Sequence, residues 1–197
     1  MKAIQLISLQ HELGMSIGLD LHLQAMLKKF TKICIRQLGL SSVHYYILQT
    51  ENGDAVLPNT NQQSEIKHFL SIPKRDESAQ GFEFSAAVKS ISANGSKLFT
   101  THNEKTNEYI YYLALENVGV IALHKIGRPI EDNIFNLLRP IFKRLTISCQ
   151  ASIEHEHLLH AIEARKEAEE AILAEQKAAE DAAAAEAAEA TTEEAVT

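Results

Sequence analysis

Tryptophan is missing from these 197 residues, aromatics make up 6%, and the chain holds 8 Gly, 4 Pro and 2 Cys. So little Gly and Pro beside abundant Ala, Leu, Glu and Lys leans the chain toward helix. Cys34 and Cys149 both fall in stretches of helical pattern. Two scattered cysteines make neither a disulfide framework nor a zinc site. As small apolar residues they suit a reducing compartment. Positive charge is also short, with 19 Lys and Arg against 26 Asp and Glu and a net charge of −7. A duplex binder carries a basic stripe, so no nucleic-acid partner is expected. No apolar run approaches the roughly 20 residues of a membrane helix. The start, Met1 to Leu6, is broken by Gln5 and soon by Gln10, His11 and Glu12, which is no signal peptide. The expectation is a cytoplasmic chain without membrane insertion.

What is present begins with two helical patterns. Ile4, Leu6, Ile7, Leu9 and Leu13 give an apolar stripe over residues 3–16, interrupted by Gly18. Asp20 is placed to cap a second helix from about Leu21 to Leu38, with Leu21, Leu23, Met26, Leu27, Phe30, Ile33, Cys34 and Leu38 in its apolar set. Gly39 is a natural stop. The period then changes. Val43 to Leu48 is β-branched and aromatic and reads as a strand. Asn52-Gly53 marks a turn, with a short strand predicted at Ala55-Val56-Leu57. A short helix is predicted near Ser64–Leu70. Phe82–Val88 and Lys97–Thr100 read as strands around a turn at Ala93–Ser96. Glu108–Leu115 and Val118–His124 flank the turn Glu116-Asn117 and are apolar on both faces, which predicts central strands covered on both sides.

From Ile130 onward the pattern is helical to the end, with Pro140 expected to kink the helix or mark a restart. Leu138, Leu145, Ser152, Leu159 and Leu173 recur by sevens, with Lys166 in the gap. Ile141, Ser148, His155 and Ile162 form a second seam. This is a weak heptad pattern, against the plainer reading of an ordinary amphipathic helix lying on the domain. From Ala174 to Ala190 the chain is almost only Ala and Glu, with helical propensity but no seam to bury.

The segments Leu9-Gln10-His11-Glu12-Leu13, Ser16-Ile17-Gly18-Leu19-Asp20-Leu21 and Leu27-Lys28-Lys29-Phe30 together resemble the opening of GAF domains. Gly119-Val120-Ile121-Ala122-Leu123 resembles their late strand. Ile130-Glu131-Asp132 with Phe135 through Leu145 resembles their closing helix, and Ala151 to Glu156 its exit. The resemblance covers roughly residues 1–165. It implies an α+β fold: a central antiparallel sheet, N-terminal helices and a closing helix packed on one face, then a long C-terminal coiled-coil helix. It divides the chain into a sensory domain over 1–150, a signalling helix over 151–176 and an Ala/Glu tail over 177–197. The run Ala164-Arg165-Lys166-Glu167-Ala168-Glu169 is similar to the exit of input regions in bacterial sensor histidine kinases. No phosphoacceptor His with the following Glu, Arg and Pro is present, and no ATP-binding glycine boxes.

In GAF domains one sheet face lines a small-molecule pocket. Strand alternation puts Val43, Tyr45 and Ile47 on one face and His44, Tyr46 and Leu48 on the other. Either set is compatible with a pocket. The polar-tipped His44 and Tyr46, with Tyr112 and His124, are the candidate lining, against the plainer reading that these rings fill a core or its rim. His155, His157 and His160 do not share the i, i+4 spacing of a zincin helix, and no metal site is predicted. Neither cysteine sits in the exposed, partnered setting of thiol chemistry. No catalytic constellation and no identified cofactor follow. The expected function is a regulatory domain that binds a small molecule or partner and signals through a coil. The expected partners are a second copy of the chain, packed through Leu145, Ser152, Leu159, Ile162 and Leu173, and a kinase or other output protein. The alternative is a GAF-like dimerisation or interaction module without a ligand.

Overall fold

The computed structural model describes residues 3–18, 20–58, 64–74 and 98–194, with side chains within those ranges from Leu6 to Ala179. Two compact units meet in sequence at Glu154 and His155.

In the first unit, α1 (Ala3–Ser16) buries Leu9 and Leu13. Helix α2 (Leu23–Leu38) buries Leu23, Met26, Leu27, Phe30, Thr31, Cys34 and Leu38, a stripe at the 3.6 period. Its end is the one the sequence predicts. Gly39 is left-handed at φ 62°, and its N–H donates to Ile35 O. Its start is not. Asp20 is two residues short of the cap, which is His22, and the helix begins at Leu23 rather than Leu21. Asp20 instead accepts from the His22 N–H at 3.2 Å and from Lys29 Nζ at 3.0 Å, so its carboxylate organises the turn ahead of the helix.

The described strands form one antiparallel sheet in the order β2-β1-β5-β4-β3: β1 (Ser42–Gln49), β2 (Glu65–Ile72), β3 (Leu98–Asn103), β4 (Glu108–Leu115) and β5 (Gly119–Ile126). The doubly apolar β5 is central, with β4 and β1 on either side, as its burial on both faces requires. The helix predicted near Ser64–Leu70 is in fact β2. Among the described residues it pairs with β1 alone, its mixed polar sequence hides the alternation, and pairing to β1 overrides local propensity. The strand predicted at Ala55–Leu57 shrinks to one bridge, Gln49 to Ala55, after the turn at Gly53. The strand at Phe82–Val88 and the turn at Ala93–Ser96 lie outside the described residues.

One sheet face packs on the helices. Val43, Tyr45, Ile47, Tyr111, Leu113, Ile121 and Leu123 meet Leu9, Leu13, Leu27 and Phe30 there. The last helix, α3 (Asp132–Glu194), adds Ile134, Phe135, Leu138, Phe142, Leu145, Cys149 and Ile153 to the same core. The helix does not restart at Pro140. Gln10 Nε2 of α1 donates to Leu137 O at 2.7 Å, in the turn disturbed by the missing proline N–H. In the second unit, His155 onward, α3 continues with Leu158, Leu159, Ile162, Ile172 and Leu173 exposed. Among the described residues, no helix is long and apolar enough to cross a membrane.

Candidate functional site

The sheet face turned away from the helices carries the polar chemistry. Register follows from the pairings His44↔Ala122, Tyr46↔Val120 and Tyr112↔Ala122, which put these side chains on one face. His124, opposite Ser42 and Ile110, joins them. Thus the four residues read from the sequence, His44, Tyr46, Tyr112 and His124, share one face. All are buried, and Tyr46 and Tyr112 form an apolar cluster with Ile110, Val120 and Ala122, flanked by Ile66 and Phe99.

Beside this cluster lies a histidine–serine chain that sequence reasoning only half found. His44 Nε2 is 3.0 Å from Ser42 Oγ, and His44 Nδ1 is 2.6 Å from Ser71 Oγ. Ser71 Oγ is also 2.6 Å from His68 Nε2. The His124 ring stands edge-on to His44, centroids 4.6 Å apart, and His124 Nδ1 is 3.0 Å from Glu108 Oε1. The His68 ring packs edge-on to Tyr46 at 5.7 Å.

A register shift builds this arrangement. Tyr45 pairs with Leu70 and Tyr46 with His68, so Phe69 is the extra residue of a β-bulge. In a regular strand residues three apart face opposite sides. The bulge turns His68 and Ser71 to the same side. No sequence signal marks it. Ser42, two residues from His44, follows from alternation once the strand is extended by one. Glu108 is the diagonal cross-strand neighbour of His124 and was legible only after the β4–β5 register was fixed.

Among the described residues, no group of three His, Cys, Asp or Glu is arranged to hold a metal ion. That includes His155 and His157, which are half-buried, and His160, which is exposed. The cysteines sit on the helix side. Burial pushes the Cys149 thiol up to about 12 and that of Cys34 higher, so neither supplies a thiolate at neutral pH. A depression of about 450 Å³ lined by Gln49, Glu51, Ser64, Glu65 and Lys67 lies at the far end of the β1–β2 pair. It contains none of the residues above, and its polar, open lining suits no buried ligand.

The positions predicted for a dimer seam divide. Leu145 and Ser152 are buried within the first unit, Leu145 as part of its core. Leu159, Ile162 and Leu173 are exposed on the second.

No protein-family model matches the sequence, and no curated protein is significantly similar to it. Solved structures do match. The GAF domain of an Acinetobacter phosphoenolpyruvate-protein phosphotransferase superposes with a TM-score of 0.53, over 82% of this chain and 99% of that one, at 13% identity. The fold is GAF-like. The phycoerythrobilin-bound GAF domain of a cyanobacterial phytochrome is also similar, with a TM-score of 0.44 and 11% identity, over 78% of this chain and 96% of that chain. Within the GAF-like fold, α1, α2 and the start of α3 close one face of the sheet, and the histidine–serine chain occupies the other.

Proposed function

We propose that this chain is a cytoplasmic regulatory domain that senses a small molecule or partner at the sheet face of His44, Tyr46, Tyr112 and His124. The observation that carries the reading is the polar network on that face. Polar groups buried in a sheet without function are usually replaced by apolar ones, because each must be fully hydrogen-bonded to be tolerated. Five side chains here, His44, His68, His124, Ser71 and Glu108, converge within hydrogen-bond or ring-contact distance. In this reading, occupancy changes the packing of the sheet against α3. A homodimeric coil through Leu159, Ile162 and Leu173 passes that change to an output of the histidine-kinase kind. Two states with different ligand affinity are required.

The second reading is a GAF-like dimerisation module without a ligand. It is favoured by the burial of Tyr46 and Tyr112, which fill their side of the face. A thermal-shift screen of the whole chain against nucleotides, haem and small metabolites separates the two. The sensory reading expects a compound that raises Tm and whose effect is lost in Tyr112→Ala. No stabilisation by any compound, with a dimer persisting in light scattering, selects the module.

A further inference from the structure

We propose that α3 of the second unit pairs antiparallel with a second copy of itself, with Lys166 opposite the partner's Glu169. The proposal rests on the dimeric coil of the reading above and not on its ligand.

Beyond His155, α3 exposes its apolar residues in two blocks, Leu158-Leu159-Ile162 and Ile172-Leu173, all 40–68% exposed. Counted by sevens, Leu159, Lys166 and Leu173 occupy one seam position, and Ile162, Glu169 and Gln176 the other. Between the two blocks the seam thus holds one cation and one anion. Both are bonded within their own helix. Arg165 Nε is 2.8 Å from Glu169 Oε1, and Lys166 Nζ is 4.0 Å from Glu170 Oε1. Exposed pairs four residues apart contribute little, so they do not hold Lys166 and Glu169 against a less solvated partner.

Direction determines what these two residues meet. In a parallel coil each seam residue faces its own copy. Leu159, Ile162 and Leu173 would make apolar layers, but Lys166 would face Lys166, and Glu169 would face Glu169 in the next layer. In an antiparallel coil the two seam positions face each other. A two-fold axis between Lys166 and Glu169 sets Lys166 against the partner's Glu169, Ile162 against the partner's Leu173, and Leu159 against the partner's Gln176. Symmetry repeats each pair on the other side of the axis. A shift of one heptad sets Leu159 against Glu169 and Ile162 against Lys166, so the charges fix register as well as direction.

Against the parallel pairing, one apolar layer is lost, because Leu159 meets the stem of Gln176 rather than another Leu159. In exchange, two layers of like charge become two of opposite charge, at positions where packed neighbours exclude water and repulsion costs most. At the rim Glu163 stands near the partner's Glu170, where water screens them and the effect is small. The two C-terminal tails leave this coil at opposite ends.

The test uses the whole chain, with its dimer followed by light scattering. In the antiparallel coil Ile162 lies about 16 Å along the axis from the partner's Ile162. A disulfide needs Cα atoms within about 7 Å. Ile162→Cys alone should therefore form no crosslink under mild oxidation. Ile162→Cys with Leu173→Cys in one chain should give a covalent dimer joined from position 162 to position 173 in peptide mapping. The wild-type chain, whose Cys34 and Cys149 are buried, is the control. Charge variants read the same geometry without touching an apolar layer. Lys166→Glu should weaken the dimer by about tenfold or more, and adding Glu169→Lys should restore it. In a parallel coil both variants keep like charges face to face, and neither moves the Kd. A disulfide of Ile162→Cys to its own copy, or a Lys166→Glu chain that dimerises like wild type, overturns the antiparallel pairing and leaves the dimer standing. A wild-type chain that stays monomeric at high concentration overturns both.

Discussion

Gly119 leaves room for Tyr46: a Cβ built on Gly119 would stand 2.0 Å from the Tyr46 carbonyl oxygen and 2.9 Å from Ile47 Cα. Both obstacles are backbone, so no rotamer change relieves them, and φ at Gly119 is +155°. The glycine lets β5 approach β1 directly beneath the candidate site. Gly119→Ala should lower stability by roughly 2 kcal/mol or more, a Tm loss of about 4 °C or more for a chain of this size. Thermal unfolding followed by circular dichroism measures it. An unchanged melt would mean that the two strands can separate at no cost.

On the other face, Tyr45 is fully buried and its hydroxyl is 2.8 Å from Thr31 Oγ1. Tyr45→Phe strands the Thr31 hydroxyl in an apolar core and should cost about 1–2 kcal/mol. Thr31→Val together with Tyr45→Phe removes both polar groups and should recover much of that loss. Urea unfolding of the four proteins in this cycle gives the coupling directly. Simple additivity would show that the bond contributes nothing specific.

The same core makes the protein sensitive to alkali. Burial raises Tyr45 well above the usual tyrosine range, and raises Cys149 to about 12. Raised folded values favour the neutral forms. Their contribution to stability is full below the unfolded values, near 8.5 for Cys and 10 for Tyr, and is lost as pH rises through and beyond them. Stability should therefore decline from about pH 8.5 to 11. At pH 8 both thiols should resist an aromatic disulfide reagent in the native chain and react in denaturant. Rapid native labelling of either cysteine would contradict the burial.

How far the sequence could be read depended on the neighbours each residue needs. Helix α2 and its stop at Gly39 were legible because period and cap are local. The same is true of the turn at Asn117, left-handed at φ 62°, between β4 and β5. The face shared by His44, Tyr46, Tyr112 and His124 was legible because alternation is local once strands are assigned. Strand β2 was not, because its identity comes from pairing with β1 and its own residues mix both periods. His68 and Ser71 were hidden for the further reason that a one-residue bulge decides which way they point. The heptad spacing was real as spacing, but it does not say which partner a position meets. Leu145 meets its own domain, and Leu159 shows none of that burial.

That difference yields a paired prediction for the coil. Leu145 is fully buried among the core residues of the first unit. Leu145→Ala should cost about 2–5 kcal/mol of folding stability whatever the oligomeric state. Leu159, Ile162 and Leu173 are 40–68% exposed on a helix of the second unit, where apolar side chains gain nothing unless another surface covers them. Leu159→Glu with Ile162→Glu should leave the melting of the first unit within about 2 °C of wild type, as surface substitutions do. It should convert a dimer to a monomer in size-exclusion chromatography with light scattering. The two outcomes are separable because one mutation acts on a fold and the other on an association that depends on concentration. A wild-type chain that stays monomeric at high concentration would remove the second copy as the occupant of this helix face. It would leave Leu145→Ala as destabilising as before.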